Sequence, residues 1–383
     1  MDFDLTEDQR LLKDSVDRLI HDNYGDFEKR RHHQADSRGY STALWAKYAE
    51  LGLLGLPFSE EQGGFGGSAV DTMNVMETFG GGLVLEPYLA TVVLGGGFLR
   101  AGGSAAQQAA LIPGIVDGST TLAFAHTEAQ SRYDLFDVAT SARRVGSSWL
   151  LNGAKSLVLH GDSADQLIVS ARTGGSRRDR DGISLFIVPA KAAGVSRRGY
   201  ATQDDLRAAE IAFDSVLLPQ DALLGAQGGG LALMEQVVDA ALAALCAEAV
   251  GAMGALHELT LDYLKQRKQF NTTIGSFQAV QHRAADMLVA LEQARSMALY
   301  AAMMAENPDP ATRRPAIAAA KALINRSAEL IGKEAIQLHG GIAMTMEYKA
   351  GHYFKRLTML GSQFGETDQH LRLVAESGLG EAA

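Results

Sequence analysis

The stretch DQLIVSARTGGSRRDRDGISLFIVPA (165–190) decides the fold class of the central part of the chain. Two short runs rich in Ile, Val and Leu flank a glycine-rich, charged segment, and this arrangement is typical of a β-hairpin with an exposed tip. Similar short apolar runs occur from about residue 120 to residue 224: TLAFAH (121–126), SWLLNG (148–153), SLVLHG (156–161) and EIAFDSVLLP (210–219). The pattern predicts a mostly antiparallel sheet or barrel, with turns between the runs.

Helical periodicity lies on both sides of this β region. Thr6 and Gln9 have the spacing of a capping box, and the apolar residues that follow predict an amphipathic helix ending near Ile20. The segment EEQGGFGGS (60–68) contains four glycines and predicts a loop. After residue 227 the helical spacing returns, for example in the apolar stripe Val280, Ala284, Met287 and Leu291.

The composition is that of a folded protein and disfavours a nucleic-acid partner. The chain has 383 residues, of which 46% are hydrophobic and 21% charged, and its net charge is −10. This length suits about two to three domains, and an acidic balance disfavours a nucleic-acid backbone as partner. The first residues, MDFDLTEDQRLL, are acidic where a secretory signal is basic, so no export signal is predicted.

Cysteine usage and hydropathy favour a cytoplasmic protein. A single cysteine, Cys246, forms neither an internal disulfide nor a thiolate metal cage, and no metal site is predicted. Cys246 lies in an alanine-rich run and is interpreted as a packed small residue. The most apolar window, 237–256, contains Asp239 and Glu248 and is built mostly from alanine and glycine, so it predicts a core helix rather than a membrane span.

Several common catalytic motifs do not occur. The sequence contains no GxGxxG, GxxxxGK[ST], GxSxG or HExxH, so dinucleotide-binding βαβ units, P-loops, serine hydrolases and zinc proteases have no support. The ten histidines are scattered along the chain.

Seven segments, taken in order, resemble the acyl-CoA dehydrogenase family over essentially the whole chain. They are LGLLGLPFSEEQGGFGGS (51–68), AFAHTE (123–128), LNGAKSLVLHG (151–161), FDSVLLPQDALLG (213–225), RKQF (267–270), SFQAVQHRAADM (276–287) and QLHGGIAMTMEY (337–348). The resemblance implies an α+β fold with an N-terminal helical domain (1–118), a central antiparallel β-barrel-like domain (119–226) and a C-terminal four-helix bundle (227–383).

The resemblance also implies a cofactor and a reaction. Members of the family use FAD, which lies between the β domain and the C-terminal helices of one subunit while its ADP end reaches a neighbouring subunit. A carboxylate removes the α-proton of an acyl-CoA thioester while the β-hydrogen leaves as hydride to the flavin, giving an enoyl-CoA. Such a reaction needs a base at the α-carbon and donors to the thioester carbonyl.

By resemblance, the residues that contact a neighbour's FAD are present. The diphosphate contact falls on Arg267 with Phe270 beside it, and the adenosine-side contacts fall on Gln337, Gly340 and Gly341. The chemistry agrees, because a permanently charged guanidinium suits a diphosphate and paired glycines permit a close backbone approach.

The flavin-ring side departs from the family pattern. The family's threonine is present as Thr127, but the Gly-Ser near the thioester arm of CoA is replaced by Arg132-Tyr133, whose bulk is expected to fill that channel. Leu157 and Leu159 stand where the family places an aromatic residue and a hydroxyl residue against the flavin, and neither can donate a hydrogen bond to it.

The catalytic base is not found at its family positions. In the helix that holds the family's acyl-pocket arginine, Asp239 matches the acid of the motif, but the arginine position is Leu242 and the alternative base position is Ala241. The YEGT motif that carries the usual base corresponds to SQFGETDQHLRL (362–373), which places Gly365 or Phe364 at the base position. Glu366 is adjacent, and it could act as a base only with a shifted backbone.

The missing residues belong to the side of the site that a subunit supplies to its own flavin, whereas the retained residues belong to the side that it supplies to a neighbour. This division favours a partner subunit in a heteromer. The first hypothesis is therefore a base-less small subunit whose partner, a second acyl-CoA dehydrogenase chain, supplies the base and flavin pocket. Three segments resemble the small subunit of bacterial pimeloyl-CoA dehydrogenases: AHTEAQSRYDLFDVAT (125–140), RKQF (267–270) and YKAGHYFKRLTM (348–359).

Two alternatives remain open: a self-sufficient dehydrogenase that uses Glu366, and a flavin oxygenase or oxidase of the same fold. An electron-transfer flavoprotein or a similar protein is the expected acceptor. The apolar stripe at 280–291 is expected to be buried against neighbouring subunits.

Overall fold

The computed structural model describes residues 6–378, which form two compact units. The helical unit comprises the chain up to residue 32, residues 68–84 and the chain from residue 242 onward, and the sheet unit comprises residues 33–67 and 85–241. The N-terminal helices are therefore divided between the two units.

An eight-stranded sheet forms the centre of the sheet unit. Its strands are β1 (Leu122–Ala125), β2 (Ser141–Val145), β3 (Ser148–Leu159), β4 (Gln166–Arg172), β5 (Ile183–Pro189), β6 (Val195–Ala201), β7 (Arg207–Leu218) and β8 (Leu223–Leu224). Their order is β6-β7-β3-β2-β4-β5-β8, and β1 pairs in parallel with β4. Most of the other pairs are antiparallel, as predicted.

The hairpin predicted from 165–190 is confirmed. Strands β4 and β5 pair antiparallel from Gln166↔Pro189 to Arg172↔Ile183, and the charged segment forms the tip. The turn expected between SWLLNG and SLVLHG is wrong, because both runs belong to strand β3. Two register shifts against β7, between Leu151 and Gly153 and between Lys155 and Val158, accommodate the irregular sequence in between.

Helices cover part of the sheet unit. They are α3 (Thr42–Glu50), a π-helical stretch (Leu89–Gly96), α5 (Gly97–Gly102) and α6 (Ala105–Val116). Apolar residues of the strands form the core, in which Trp149 packs edge-on against Phe186 with ring centroids 5.2 Å apart.

The helical unit contains the long helices. Their bounds are α1 (Glu7–Tyr24), α2 (Phe27–Gln34, which ends in the sheet unit), α4 (Ala69–Gly82), α7 (Gly230–Gln266, which begins in the sheet unit), α8 (Gln278–Ala305), α9 (Pro310–His339), α10 (Lys349–Ser362) and α11 (Thr367–Glu376). The capping box of Thr6 and Gln9 is confirmed, and α1 continues one turn beyond the predicted end. The three long helices α7, α8 and α9 and the shorter α10 and α11 make up the predicted C-terminal helical part.

Helix α7 is long and apolar enough to cross a membrane, but 83% of its most apolar window is buried inside the protein. This burial agrees with the interpretation as a core helix. Cys246 lies in this helix and is fully buried, and burial raises the pKa of its thiol to about 11. The thiol therefore stays protonated and unreactive at neutral pH.

The stripe predicted to face neighbouring subunits packs within the chain instead. Ala284, Met287 and Leu291 are buried in the helical unit, and Val280 is half-buried. Leu288 and Val289, on the opposite side of α8, are 46% and 58% exposed. The spacing predicts the helix and its apolar face correctly, but this face is buried inside the helical unit rather than at an interface between subunits.

Candidate functional site

Arg267 directly follows helix α7 in the helical unit. Its backbone N–H donates to the carbonyl of Tyr263 (2.8 Å) and its own carbonyl accepts from Ile274 (2.9 Å), so the backbone is fixed at both groups. The side chain is exposed, and its guanidinium has no hydrogen-bond or ion-pair partner among the described residues. A fixed, unpaired cation of this kind is suited to an external anion.

A tight hairpin follows Arg267. Strands β9 (Lys268–Gln269) and β10 (Thr272–Thr273) pair antiparallel, and the two residues between them, Phe270 and Asn271, have φ of 54° and 63°. Such left-handed pairs form type I′ turns. The turn presents the Phe270 ring to solvent, 87% exposed, with its only described ring contact an edge against Phe277 at 6.1 Å.

The end of helix α9 presents an open backbone. Gly340 has φ 66° and ψ −144°, a conformation that is restricted to glycine. A Cβ placed at Gly340 or at Gly341 would meet no atom within 4 Å, so another molecule can approach both residues closely. Gln337, one turn earlier, is exposed.

An aromatic cluster brings the hairpin and the glycine pair together. The Tyr263 ring lies 4.7 Å from the His339 ring, which lies 5.1 Å from the Tyr348 ring. His339 is buried, and its Nδ1 lies 2.8 Å from the carbonyl of Ala335. Because Tyr263 precedes Arg267 by one turn and His339 precedes Gly340, this ring contact brings the end of α7 close to the end of α9.

In the sheet unit, Thr127 follows strand β1 and is held by its neighbours. Its carbonyl accepts from the N–H of Ser156 (2.8 Å). The Lys155 ammonium, fully buried, donates to the carbonyl of His126 (3.1 Å), to Ser170 Oγ (3.0 Å) and to Glu128 Oε1 (2.6 Å). Lys155 thus binds the residues on both sides of Thr127.

Glu128 organises the loop that follows Thr127. Its carboxylate also accepts from Gln130 Nε2 (2.7 Å) and from the backbone N–H groups of Ala139 (2.9 Å) and Thr140 (3.0 Å). Burial alone would raise the pKa of Glu128, but the charge of Lys155 and these hydrogen bonds lower it to about 2. The sequence reasoning missed this pair, although a charged residue within each of the apolar segments AFAHTE and LNGAKSLVLHG was a usable signal.

The two leucines on the predicted flavin-ring side offer no polar group. Leu157 has φ 51° and is 43% exposed, and its N–H lies 3.5 Å from Glu210 Oε1. Leu159 is half-buried. Arg132 is exposed and Tyr133 is half-buried, and the expectation that their bulk fills a channel stays a prediction.

The family's arginine position and its alternative base position on helix α7 hold neither an arginine nor a carboxylate. Ala241, in the sheet unit, and Leu242, in the helical unit, are buried, and neither side chain can accept a proton. Asp239 is also buried.

The loop between α10 and α11 has an unusual backbone. Phe364 has φ 54° and Gly365 has φ 128°, and the buried His370 ring lies against Gly365. Glu366 is exposed at the start of α11, and its side chain does not cap the helix. Neither Phe364 nor Gly365 can accept a proton. Glu366, the next residue in the chain, is a carboxylate beside them.

Family models for the N-terminal, middle and C-terminal domains of acyl-CoA dehydrogenase match residues 6–119, 123–216 and 228–379. The chain belongs to the acyl-CoA dehydrogenase family. It is 31% identical to the probable acyl-CoA dehydrogenase YngJ of Bacillus subtilis, with 91% of this chain and 92% of that protein covered. It is 32% identical to subunit CarC of the caffeyl-CoA reductase-Etf complex of Acetobacterium woodii, over 84% and 85%. The solved FAD complex of PigA superposes with a TM-score of 0.90 at 27% identity, covering 100% of both chains.

The predicted fold class is confirmed, and the family consists of oxidoreductases that act on CH–CH bonds. The family and its FAD complexes support FAD as the cofactor. The residues predicted for FAD differ between the two units in how well their chemistry suits it. Arg267 and the open backbone at Gly340 and Gly341 suit a diphosphate and a closely packed adenosine, whereas Leu157 and Leu159 provide no hydrogen bond to a flavin ring.

Proposed function

We propose that this chain is the base-less small subunit of a heteromeric acyl-CoA dehydrogenase, which converts an acyl-CoA thioester to an enoyl-CoA. The observation that carries the proposal is the α10–α11 loop, where the family's base position falls on Gly365 or Phe364. Neither residue accepts a proton, so the α-proton must be removed by a carboxylate of the second subunit.

The retained residues support a contribution to a site completed by another chain. Arg267, Gln337, Gly340 and Gly341 are exposed, and Arg267 has no partner within residues 6–378. In the proposed heteromer Arg267 binds the diphosphate of FAD, and the two glycines admit its adenosine end with Phe270 and Gln337 alongside. When bound, FAD accepts the electrons of the reaction.

Thr127 is proposed as a further FAD contact because its position is fixed on both sides by Lys155. The neighbouring Leu157 and Leu159 weaken the ring side of that site, which is why we expect this chain to retain little FAD by itself.

The proposal extends to the electron acceptor, the substrate class, the location and the assembly. CarC, a relative, is named as a subunit of a complex with Etf, and an electron-transfer flavoprotein is the proposed acceptor here. A dicarboxylyl- or long-chain acyl-CoA, a cytoplasmic location and an α2β2 assembly complete the proposal.

Glu366 supports a second candidate, a self-sufficient dehydrogenase. Its carboxylate is exposed and adjacent to Gly365, and a shift of the loop backbone would bring it to the base position. The two candidates differ in whether the reaction depends on this side chain.

The test is co-expression with an acyl-CoA dehydrogenase encoded nearby, followed by dye-coupled assays of the complex with wild-type and Glu366→Gln chains. We expect a yellow, active complex in which Glu366→Gln changes turnover less than about twofold. A loss of several orders of magnitude, the consequence of removing a catalytic base, would contradict the proposal and favour Glu366.

A further inference from the structure

The loop 362–366 is held in an unusual backbone conformation. Phe364, which has a side chain, occupies the left-handed region at φ 54°, and Gly365 follows at φ 128°. Conformations of this kind cost free energy and persist only where surrounding contacts enforce them. The contacts that enforce this loop lie on helices α9 and α11.

Helix α9 holds the start of the loop. The buried ammonium of Lys321 donates to the carbonyl of Leu360 (2.5 Å) and to Asn325 Oδ1 (2.9 Å), and Asn325 Nδ2 donates to the carbonyl of Gly361 (3.1 Å). These bonds hold two carbonyls in the last turn of α10, and the carbonyl of Leu360 also accepts from the N–H of Gln363 (3.3 Å). The position at which the chain leaves α10 is therefore fixed from α9.

Helix α11 fills the space beside Gly365. A Cβ built on Gly365 would lie 2.7 Å from Nε2 of His370, closer than real side chains approach, and 3.2 Å from Cε1 of the same ring. The His370 ring is only 3% exposed, so it has little room to withdraw. Burial and the nearby charge of Lys321 lower the pKa of His370 to about 4, and the ring is packed there as a neutral group.

We propose that His370 is a positioning residue that, with Lys321 and Asn325, locks the loop 362–366 in a form that admits no side chain at position 365. This inference rests on the proposed function and deepens it. A locked loop cannot accept a carboxylate at Gly365, and it cannot shift to bring Glu366 to the base position. The chain therefore lacks a base for two reasons: position 365 is a glycine, and the packing of the helical unit prevents a side chain from occupying that position.

A double-mutant cycle on the purified chain tests the lock. We expect Gly365→Ala to lower Tm by roughly 5 °C, because the methyl group meets the ring and the left-handed backbone disfavours alanine. In a His370→Ala background the same substitution should cost less than about half as much. Gly361→Ala is the matched control, since a Cβ there meets nothing within 4 Å, and it should leave Tm unchanged or higher. Equal losses in both backgrounds, or no loss, would overturn the proposal.

Hydrogen exchange separates positioning from general destabilisation. His370→Ala should speed exchange of the amides of residues 363–366 about tenfold under native conditions, while the amides of β4 and β5 in the sheet unit keep their rates. Unchanged exchange in the loop would contradict a positioning role.

A gain-of-function variant distinguishes this proposal from the proposed function. We expect the Gly365→Glu chain, assayed alone, to be destabilised or unfolded and to show no dye-coupled turnover. Turnover by Gly365→Glu with an unchanged Tm would overturn the lock and leave the heteromer proposal standing. Turnover by the wild-type chain alone would instead overturn the proposed function.

Discussion

Glu128 carries a negative charge in the core of the sheet unit, and its ion pair with Lys155 is a testable determinant of stability. Glu128→Gln leaves the Lys155 ammonium buried without a counter-charge, and breaking a buried pair in this way costs about 3 to 5 kcal/mol. Asp134→Asn, which breaks the more exposed pair with Arg178, should change stability by about 0 to 1 kcal/mol. Urea unfolding at pH 7 measures both, and equal effects would contradict the buried-pair assignment.

The same carboxylate predicts a pH dependence. The folded-state pKa of Glu128, about 2, lies below its ordinary value of 4.5, so its stabilising effect is complete above pH 4.5 and is lost as the pH falls toward 2. The stability difference between wild type and Glu128→Gln should therefore shrink over this interval. A difference that stays constant between pH 5 and pH 3 would show that the carboxylate does not titrate as expected.

Arg267 is the residue on which the proposed diphosphate contact depends most directly. Arg267→Ala would remove the proposed charge-assisted contact, which is worth about 1.5 to 3 kcal/mol, so we expect FAD to dissociate from the complex about ten to a hundred times more readily. Lys268→Ala removes the adjacent exposed charge and should have little effect. FAD content after gel filtration is the measurement, and equal losses for the two variants would count against a specific diphosphate contact.

At the scale of the helices, the crossing of α4 and α7 depends on two glycines of the helical unit. A Cβ at Gly251 would lie 1.7 Å from the carbonyl oxygen of Glu77, and one at Gly80 would lie 1.9 Å from that of Glu248. Gly251→Ala must therefore push the helices apart, at a cost of about 3 kcal/mol. Gly254→Ala, on the same helix but 3.9 Å from its nearest neighbour, should instead stabilise by about 0.5 to 1 kcal/mol. Chemical unfolding of the two variants checks the contrast, and similar values would contradict the close crossing.

The strands show where sequence patterns succeed and fail. Apolar runs such as 183–189 predict strands because those residues are buried on both faces. Strands β2 and β6 escape prediction because they are mostly exposed and rich in arginine. The continuity of β3 is hidden by Gly153, which sits at a bulge and imitates a turn in the sequence.

The sequence predicts candidate site residues where the chemistry depends only on the type of residue at a motif position. Arg267, Gly340 and the absent carboxylate at Gly365 can be read from motifs. The lock of His370 against Gly365 could not be predicted, because it depends on a backbone angle and on a contact between α11 and the loop that no local pattern encodes. The division of the N-terminal helices between two units is hidden for the same reason, since periodicity identifies a buried face but not the element that covers it.

For the whole molecule, we expect this chain to lack a complete active site by itself and to gain function with a second subunit. The most direct measurement is the FAD content and dye-coupled acyl-CoA turnover of the purified chain alone, beside the co-expressed complex. We expect far less than one FAD per chain and no turnover for the isolated chain, with both restored in the complex. One FAD per chain together with full turnover in the absence of any partner would contradict it.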